Sequence, residues 1–135
     1  MVCNQAETLN RDVHEIIIHC SATKQGLHFT AADIDVWHRE QGWNAIGYHL
    51  VILLNGGVEL GRKLNVIGAH CYGHNAHSVG VCYIGGLDAL GQAADTRTDA
   101  QRLSLQRVLF CLRRRFPHAT VHKHSEFSAK ACPSF

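Results

Sequence analysis

Histidine and cysteine are the residues of this sequence best equipped to do chemistry: it holds 11 of the first and 6 of the second. A hydrolytic zinc ion takes three protein ligands from histidine, cysteine or carboxylate and leaves a fourth position for water. Three residues fit that set. His19 ends the apolar run Ile16-Ile17-Ile18, His124 follows the short stretch Ala119-Thr120-Val121-His122, and Cys132 comes eight residues later, next to Pro133, which stiffens the return. Spacing alone leaves other trios open among so many candidates, and a strand-end histidine serves equally as a hydrogen-bonded structural residue. The six cysteines, at 3, 20, 71, 82, 111 and 132, contain no C-x-x-C pair, which disfavours a zinc ribbon or a thioredoxin-type redox site. They are read as thiols. The start, Met1 to Glu7, lacks the basic and apolar blocks of a signal peptide and so points to synthesis in a reducing compartment.

The elements that must position these residues follow from periodicity and caps. Val13 to Cys20 has a β-branched apolar centre and predicts a buried strand delivering His19 to the sheet's carboxyl edge. Thr30 caps a helix to about Gln41, with Ile34, Trp37 and His38 on one face and Gly42 as its stop. Tyr48 to Leu54, the turn Asn55-Gly56-Gly57 and Val58 to Leu60 read as an antiparallel hairpin. Val79 to Ile84 is a further strand. Thr98 and Gln101 form a capping box before a helix to about Arg115, ended by Pro117, and Ala119 to His122 supplies the last strand. The expected architecture is a single α/β (α+β) domain over residues 1–135, a mixed central sheet flanked by helices.

Composition narrows the function. Hydrophobic residues are 46% and charged residues 18%, with two prolines, so the chain can bury a core. No apolar run approaches the roughly 18 residues of a membrane span. A net charge of +2 is too weak to argue for nucleic acid as the ligand. Protonating the histidines below about pH 6.5 would add up to 11 positive charges and favour a polyanion such as an anionic cell wall.

Six segments carry a resemblance in one order: Ile17-Ile18-His19-Cys20-Ser21-Ala22-Thr23, Trp37-His38-Arg39-Glu40-Gln41-Gly42-Trp43, Gly47-Tyr48-His49, Gly68-Ala69-His70, Ser78-Val79-Gly80-Val81-Cys82 and Lys130-Ala131-Cys132-Pro133-Ser134-Phe135. Together they resemble the zinc-dependent N-acetylmuramoyl-L-alanine amidases of the type 2 amidase and peptidoglycan-recognition family, from about residue 13 to Phe135. The resemblance implies that His19, His124 and Cys132 hold one zinc ion and that Tyr48 and Lys130 form the catalytic pair. It also implies a groove for glycan and stem peptide, and cleavage of the amide between the lactyl group of N-acetylmuramic acid and L-alanine. Cys82 stands where some family members place a glutamate, which puts more of the chemistry on Tyr48 and Lys130. Cys132 stands where muropeptide-recycling relatives tend to use aspartate, and relatives usually continue beyond the position of Phe135 into another helix.

Each assignment has a plainer rival. Tyr48 opens an apolar strand and also reads as a packed aromatic, and Lys130 as a solvated loop lysine. His122 shares a face with His124, either beside the metal or simply on the surface. His70, His74, Asn75 and His77 lie in the Gly-rich loop from Gly68 to Ser78. There substrate contact, assigned to His70 and Asn75, competes with exposure. Cys82 reads as core, and Arg113-Arg114-Arg115 as a solvated helix end favoured by the macrodipole. The expected protein is a monomeric endolysin-type amidase of peptidoglycan. It is made in the cytoplasm and reaches the wall once another protein opens the membrane. The alternatives are a peptidoglycan-binding module that does not cut, a cytosolic muropeptide-recycling amidase and a Cys-His hydrolase.

Overall fold

A computed structural model describes residues 9–135. The signal-peptide reading of Met1 to Glu7 and the thiol assigned to Cys3 lie outside the described residues. In chain order the elements are β1 (Glu15–Cys20), β2 (Thr23–Lys24), α1 (Ala31–Glu40), β3 (Leu50–Ile52), β4 (Val58–Leu60), β5 (Ser78–Tyr83), β6 (Gly86–Leu87), α2 (Asp99–Arg115) and β7 (Thr120–Lys123). Short 3-10 turns cover Asn75–His77 and His124–Glu126.

The main sheet has the order β4-β3-β5-β1-β7. β3, β5, β1 and β7 pair in parallel, and β4 joins the edge antiparallel to β3 through the predicted hairpin. Its turn contains Gly56 at φ +85°, the conformation for which Asn-Gly is selected. The sheet is therefore mixed, as expected. β2 and β6 form a separate parallel pair that the sequence did not announce, because two-residue strands carry no periodicity.

Side-chain alternation sends the two faces of the sheet to different partners. Ile16, Ile18 and Cys20 of β1, Val79, Val81 and Tyr83 of β5 and Leu50 and Ile52 of β3 face α2, whose Leu105, Val108 and Leu112 complete that core. On the opposite face Val51, Cys82 and Ile84 pack with Ala31 and Ile34 of α1 and with Ile46. Each such fully buried aliphatic side chain contributes roughly 1.5–3 kcal/mol relative to exposure. Cys82 is core, as the sequence suggested.

Both predicted helix starts are present as capping boxes, Thr30 with Asp33 and Thr98 with Gln101. Gln101 does more than cap. Its side chain is fully buried, its Oε1 accepts the Thr98 N–H, and its Nε2 donates to the carbonyls of Ile52 (3.2 Å) and Ile84 (2.9 Å). It thus ties α2 to the ends of β3 and β5. Gln101→Leu fills the space but takes the donor from the buried Ile84 carbonyl and the Oε1 acceptor from the half-buried Thr98 N–H, whereas the Ile52 carbonyl keeps the Ile84 N–H at 3.0 Å; an unpaired buried group costs about 1–3 kcal/mol. The expected result is a loss of about 1–3 kcal/mol in urea unfolding; an unchanged midpoint would mean that water satisfies those groups.

Cys20, Cys71, Cys82 and Cys132 carry free thiols, in line with expectation. Cys111 is disulfide-bonded, which corrects the reading of six thiols: that reading rested on the missing signal peptide, and a compartment argument does not fix the state of one particular cysteine. Among the described residues no helix is long and apolar enough to cross a membrane.

Candidate metal centre

The face of the sheet opposite α2 is apolar only on the α1 side. Toward β7 it carries His19, Ser78, Gly80 and His122, placed together by the parallel registers that set His19 beside Cys82, and Ile17 beside both Gly80 and His122. His19 lies next to the end of the buried run of β1, and its ring lies 4.5 Å from that of His124, which opens the 3-10 turn directly after β7. The loop that follows brings back Cys132. Its thiol accepts the backbone N–H of Cys20 at 3.1 Å, and the Tyr83 hydroxyl donates to the Pro133 carbonyl at 2.6 Å, so the return is anchored at two points.

The donor atoms of His19, His124 and Cys132 all lie within 4.8 Å of one another. Among the described residues His124 Nδ1 is the one buried side-chain nitrogen or oxygen without a hydrogen-bond partner. Buried polar atoms are nearly always paired, and an unpaired imidazole nitrogen beside a second imidazole and a thiol is what a thiophilic metal would satisfy. The donor set fits zinc in number and in kind.

Electrostatics favours the forms a cation needs. Burial, then the neighbouring His70, His124 and Lys130, hold His19 well below the ordinary histidine value. Burial and Lys130 lower His124 in the same way. Both imidazoles are therefore neutral, as metal ligands must be. The hydrogen bond between the thiols of Cys20 and Cys132 lowers the first to about 7 and raises the second. A cation on the Cys132 sulfur would reverse that order, because coordination deprotonates a thiol.

Tyr48 packs against His19 with ring centroids 5.0 Å apart and is held from below by α1, whose His38 Nδ1 accepts the N–H of Gly47 at 2.9 Å. Burial pushes the Tyr48 hydroxyl well above the ordinary tyrosine value, and a hydrogen bond with Cys82 adds to this, so it keeps its proton. Lys130 is exposed at the rim, close enough for its charge to act on both His19 and His124. The five residues assigned to metal and catalysis thus converge from β1, the entry to β3, the turn after β7 and the last loop.

The loop histidines disperse. His77 stacks on His14, and His74 pairs with Glu15 (2.9 Å) and stacks on Phe127. His122 bonds Thr120 and Glu126 and is not part of the donor trio. His70 is only 8% exposed, with Nδ1 2.8 Å from His19 Nε2 and Nε2 3.1 Å from Ser78 Oγ. Asn75 Oδ1 accepts the N–H groups of His70 and Cys71, both at 2.9 Å. The two residues assigned to substrate contact thus make hydrogen bonds within the protein: His70 turns inward onto the sheet, while Tyr72 in the same segment stays exposed. The sequence signal for this was the glycine inside β5, Gly80, since glycine within a strand marks close approach of another group.

His49, fully buried, accepts the Gly80 N–H at Nδ1 (3.0 Å) and donates from Nε2 to the Val66 carbonyl (2.7 Å). Burial lowers it from 6.5 to about 4. Between those values the unfolded chain takes up a proton that the folded chain refuses, so this stability is complete above pH 6.5 and is lost as pH falls toward 4. His49 alone accounts for about 3 kcal/mol of it. Zinc-free protein is expected to melt progressively lower from about pH 7 to about pH 4.5; a midpoint constant over that range would contradict a neutral, buried His49.

A family profile described as N-acetylmuramoyl-L-alanine amidase matches residues 9–135. The endolysin of Enterobacteria phage K11 is 41% identical over 128 residues, 95% of this chain and 85% of that protein. The endolysin of Escherichia phage T7 is 42% identical over 120 residues, 89% of this chain and 80% of that protein. Among solved structures, the N-acetylmuramoyl-L-alanine amidase LysC from Clostridium intestinale URNW superposes with a TM-score of 0.81 at 26% identity, covering 95% of this chain and 80% of its own.

Proposed function

The chain belongs to the N-acetylmuramoyl-L-alanine amidase family, hydrolases of peptidoglycan that include phage endolysins, and from that premise we propose that a zinc ion held by His19, His124 and Cys132 is the centre of its reaction. The observation that carries this reading is the unpaired, buried Nδ1 of His124 within reach of an imidazole and a thiol. Zinc bound there supplies Lewis acidity, drawing electron density from a carbonyl and lowering the pKa of water toward about 7.

The chain's own residues then have defined work. The bond to be cut joins the lactyl carbonyl of N-acetylmuramic acid to the nitrogen of L-alanine, and negative charge grows on the carbonyl oxygen as water adds. Lys130 brings a full positive charge to the rim of the site, and Tyr48 a hydroxyl that burial keeps protonated. Both act as donors to that oxygen, and donors fixed before the reaction do not have to reorganise during it. His38 and the Gly47 N–H fix the backbone from which Tyr48 extends. The Tyr83 hydroxyl fixes the loop between Lys130 and Pro133. The five assigned residues form the site without help from a second copy, and we read residues 1–135 as one catalytic domain acting as a monomer.

Purified protein is expected to contain about one zinc per chain and to release L-alanine amino termini from peptidoglycan without new reducing sugar ends. Phenanthroline should abolish that release and added zinc restore it. Hydrolysis that survives chelation would transfer the chemistry to a cysteine nucleophile, and stable wall binding with no release would make the chain a binding module.

A further inference from the structure

We infer that His70 is a positioning residue for the metal centre: it accepts a hydrogen bond from Nε2 of His19 and so fixes the tautomer and ring orientation in which His19 presents Nδ1 to the ion. This deepens the zinc reading above and rests on it. The two nitrogens stand 2.8 Å apart, so a proton lies between them. His19 Nε2 is taken by this contact, which leaves Nδ1 as its ligand atom. A neutral imidazole bound through Nδ1 carries its one proton on Nε2, so His19 is the donor and His70 Nδ1 the acceptor. The His70 proton must then sit on Nε2, where Ser78 Oγ accepts it at 3.1 Å. One chain of hydrogen bonds, from Ser78 through His70 to His19, thereby specifies which face of His19 is left for the metal.

The surroundings hold His70 to that task. A Cβ on Gly80 would lie 2.7 Å from His70 Cγ, and one on Gly68 would lie 2.8 Å from its Cδ2, so both glycines leave the space that the ring fills. Asn75 Oδ1 grips the backbone N–H of His70. The ring is therefore constrained by packing on two sides, by its backbone and at both nitrogens. Such a partner raises the basicity of a ligating histidine and removes its rotational freedom, and losing one typically weakens metal binding about 10- to 100-fold.

The test is the zinc dissociation constant of the full chain, measured by competition with a chromophoric chelator, for the parent, His70→Leu and His70→Asn. Leucine fills the space without an acceptor, whereas the asparagine amide oxygen falls near the place of Nδ1. His70→Leu is expected to raise Kd about 10- to 100-fold, and His70→Asn to recover most of that loss, with similar zinc-free melting of the two variants. Parent-like binding by His70→Leu overturns the proposal, as does an asparagine variant that folds but binds as weakly as the leucine one. Should His70→Leu fail to fold, long-range nitrogen-15 spectra of the zinc-loaded parent decide the matter. Protons on Nε2 of both His19 and His70 support the proposal, and a proton on His70 Nδ1 overturns it. A parent that takes up no zinc brings down the metal reading itself, whereas a parent that binds zinc beside indifferent variants brings down only the role of His70.

Discussion

Cys132→Ser is expected to lose its zinc and all measurable hydrolysis while keeping its fold. A thiolate bonds zinc at about 2.3 Å and supplies negative charge to the site, whereas a serine hydroxyl stays neutral and binds poorly. The loop that carries Cys132 does not depend on the metal alone. The Tyr83 hydroxyl holds the Pro133 carbonyl at 2.6 Å, and Phe135 packs on the α2 side of the sheet, where the Arg97 guanidinium lies 3.5 Å above its ring. The 3.1 Å contact that the Cys132 thiol makes with the Cys20 N–H would be lost only in part, since the hydroxyl that replaces it also accepts. The variant should therefore melt cooperatively, below the zinc-loaded parent and close to the zinc-free one, and should still sediment with insoluble peptidoglycan. Undiminished turnover would refute the ligand assignment. Loss of fold and wall binding together would give the metal a structural role as well.

Lys130→Ala is expected to lower turnover about a hundredfold or more while leaving zinc content and melting temperature at parent values. The lysine side chain is exposed, so its removal opens no cavity. Its charge acts on His19 and His124, and the same proximity lets it act on an oxygen gaining charge beside them. Loss of one such donor costs roughly 3–4 kcal/mol at the transition state. Tyr48→Phe removes the second donor and should behave alike in kcat. It leaves the ring on His19 in place, so the two variants together separate catalysis from packing. Metal loss in Lys130→Ala would make the lysine a structural part of the ligand loop, and parent turnover in both variants would take these residues out of the mechanism.

Much of this was legible in the sequence because it is written locally. β-branched runs announced β1 and β5, Asn55-Gly56 announced the hairpin, and Thr98 with Gln101 announced the start of α2. Residue type and spacing made His19, His124 and Cys132 one candidate trio among several, and the resemblance of the surrounding segments singled it out. What could not be read depends on contacts between distant segments. Gln101 appeared as a cap, yet two of its hydrogen bonds reach strands 49 and 17 residues away. His70 looked like a loop histidine because the space it enters is made by Gly80 on another element, and a missing side chain is hard to assign to the residue that fills it. The bond to Cys111 and the pair β2 and β6 likewise have no local signature.

The parallel pairing of β1 with both β5 and β7 has a consequence in time. His19 is synthesised early and Cys132 late, so at about 5–20 residues per second several seconds separate the two halves of the proposed metal site. Until β7 is made, the central strand has one edge without its partner, and a chain stopped before Cys132 lacks a donor. If Cys132 holds the metal, a ribosome that stalls there, or a protease that cuts ahead of the last loop, is expected to yield a catalytically silent product. On that assignment, activity waits until the message has been read through Cys132, a check on synthesis that follows from the order in which the donors are made.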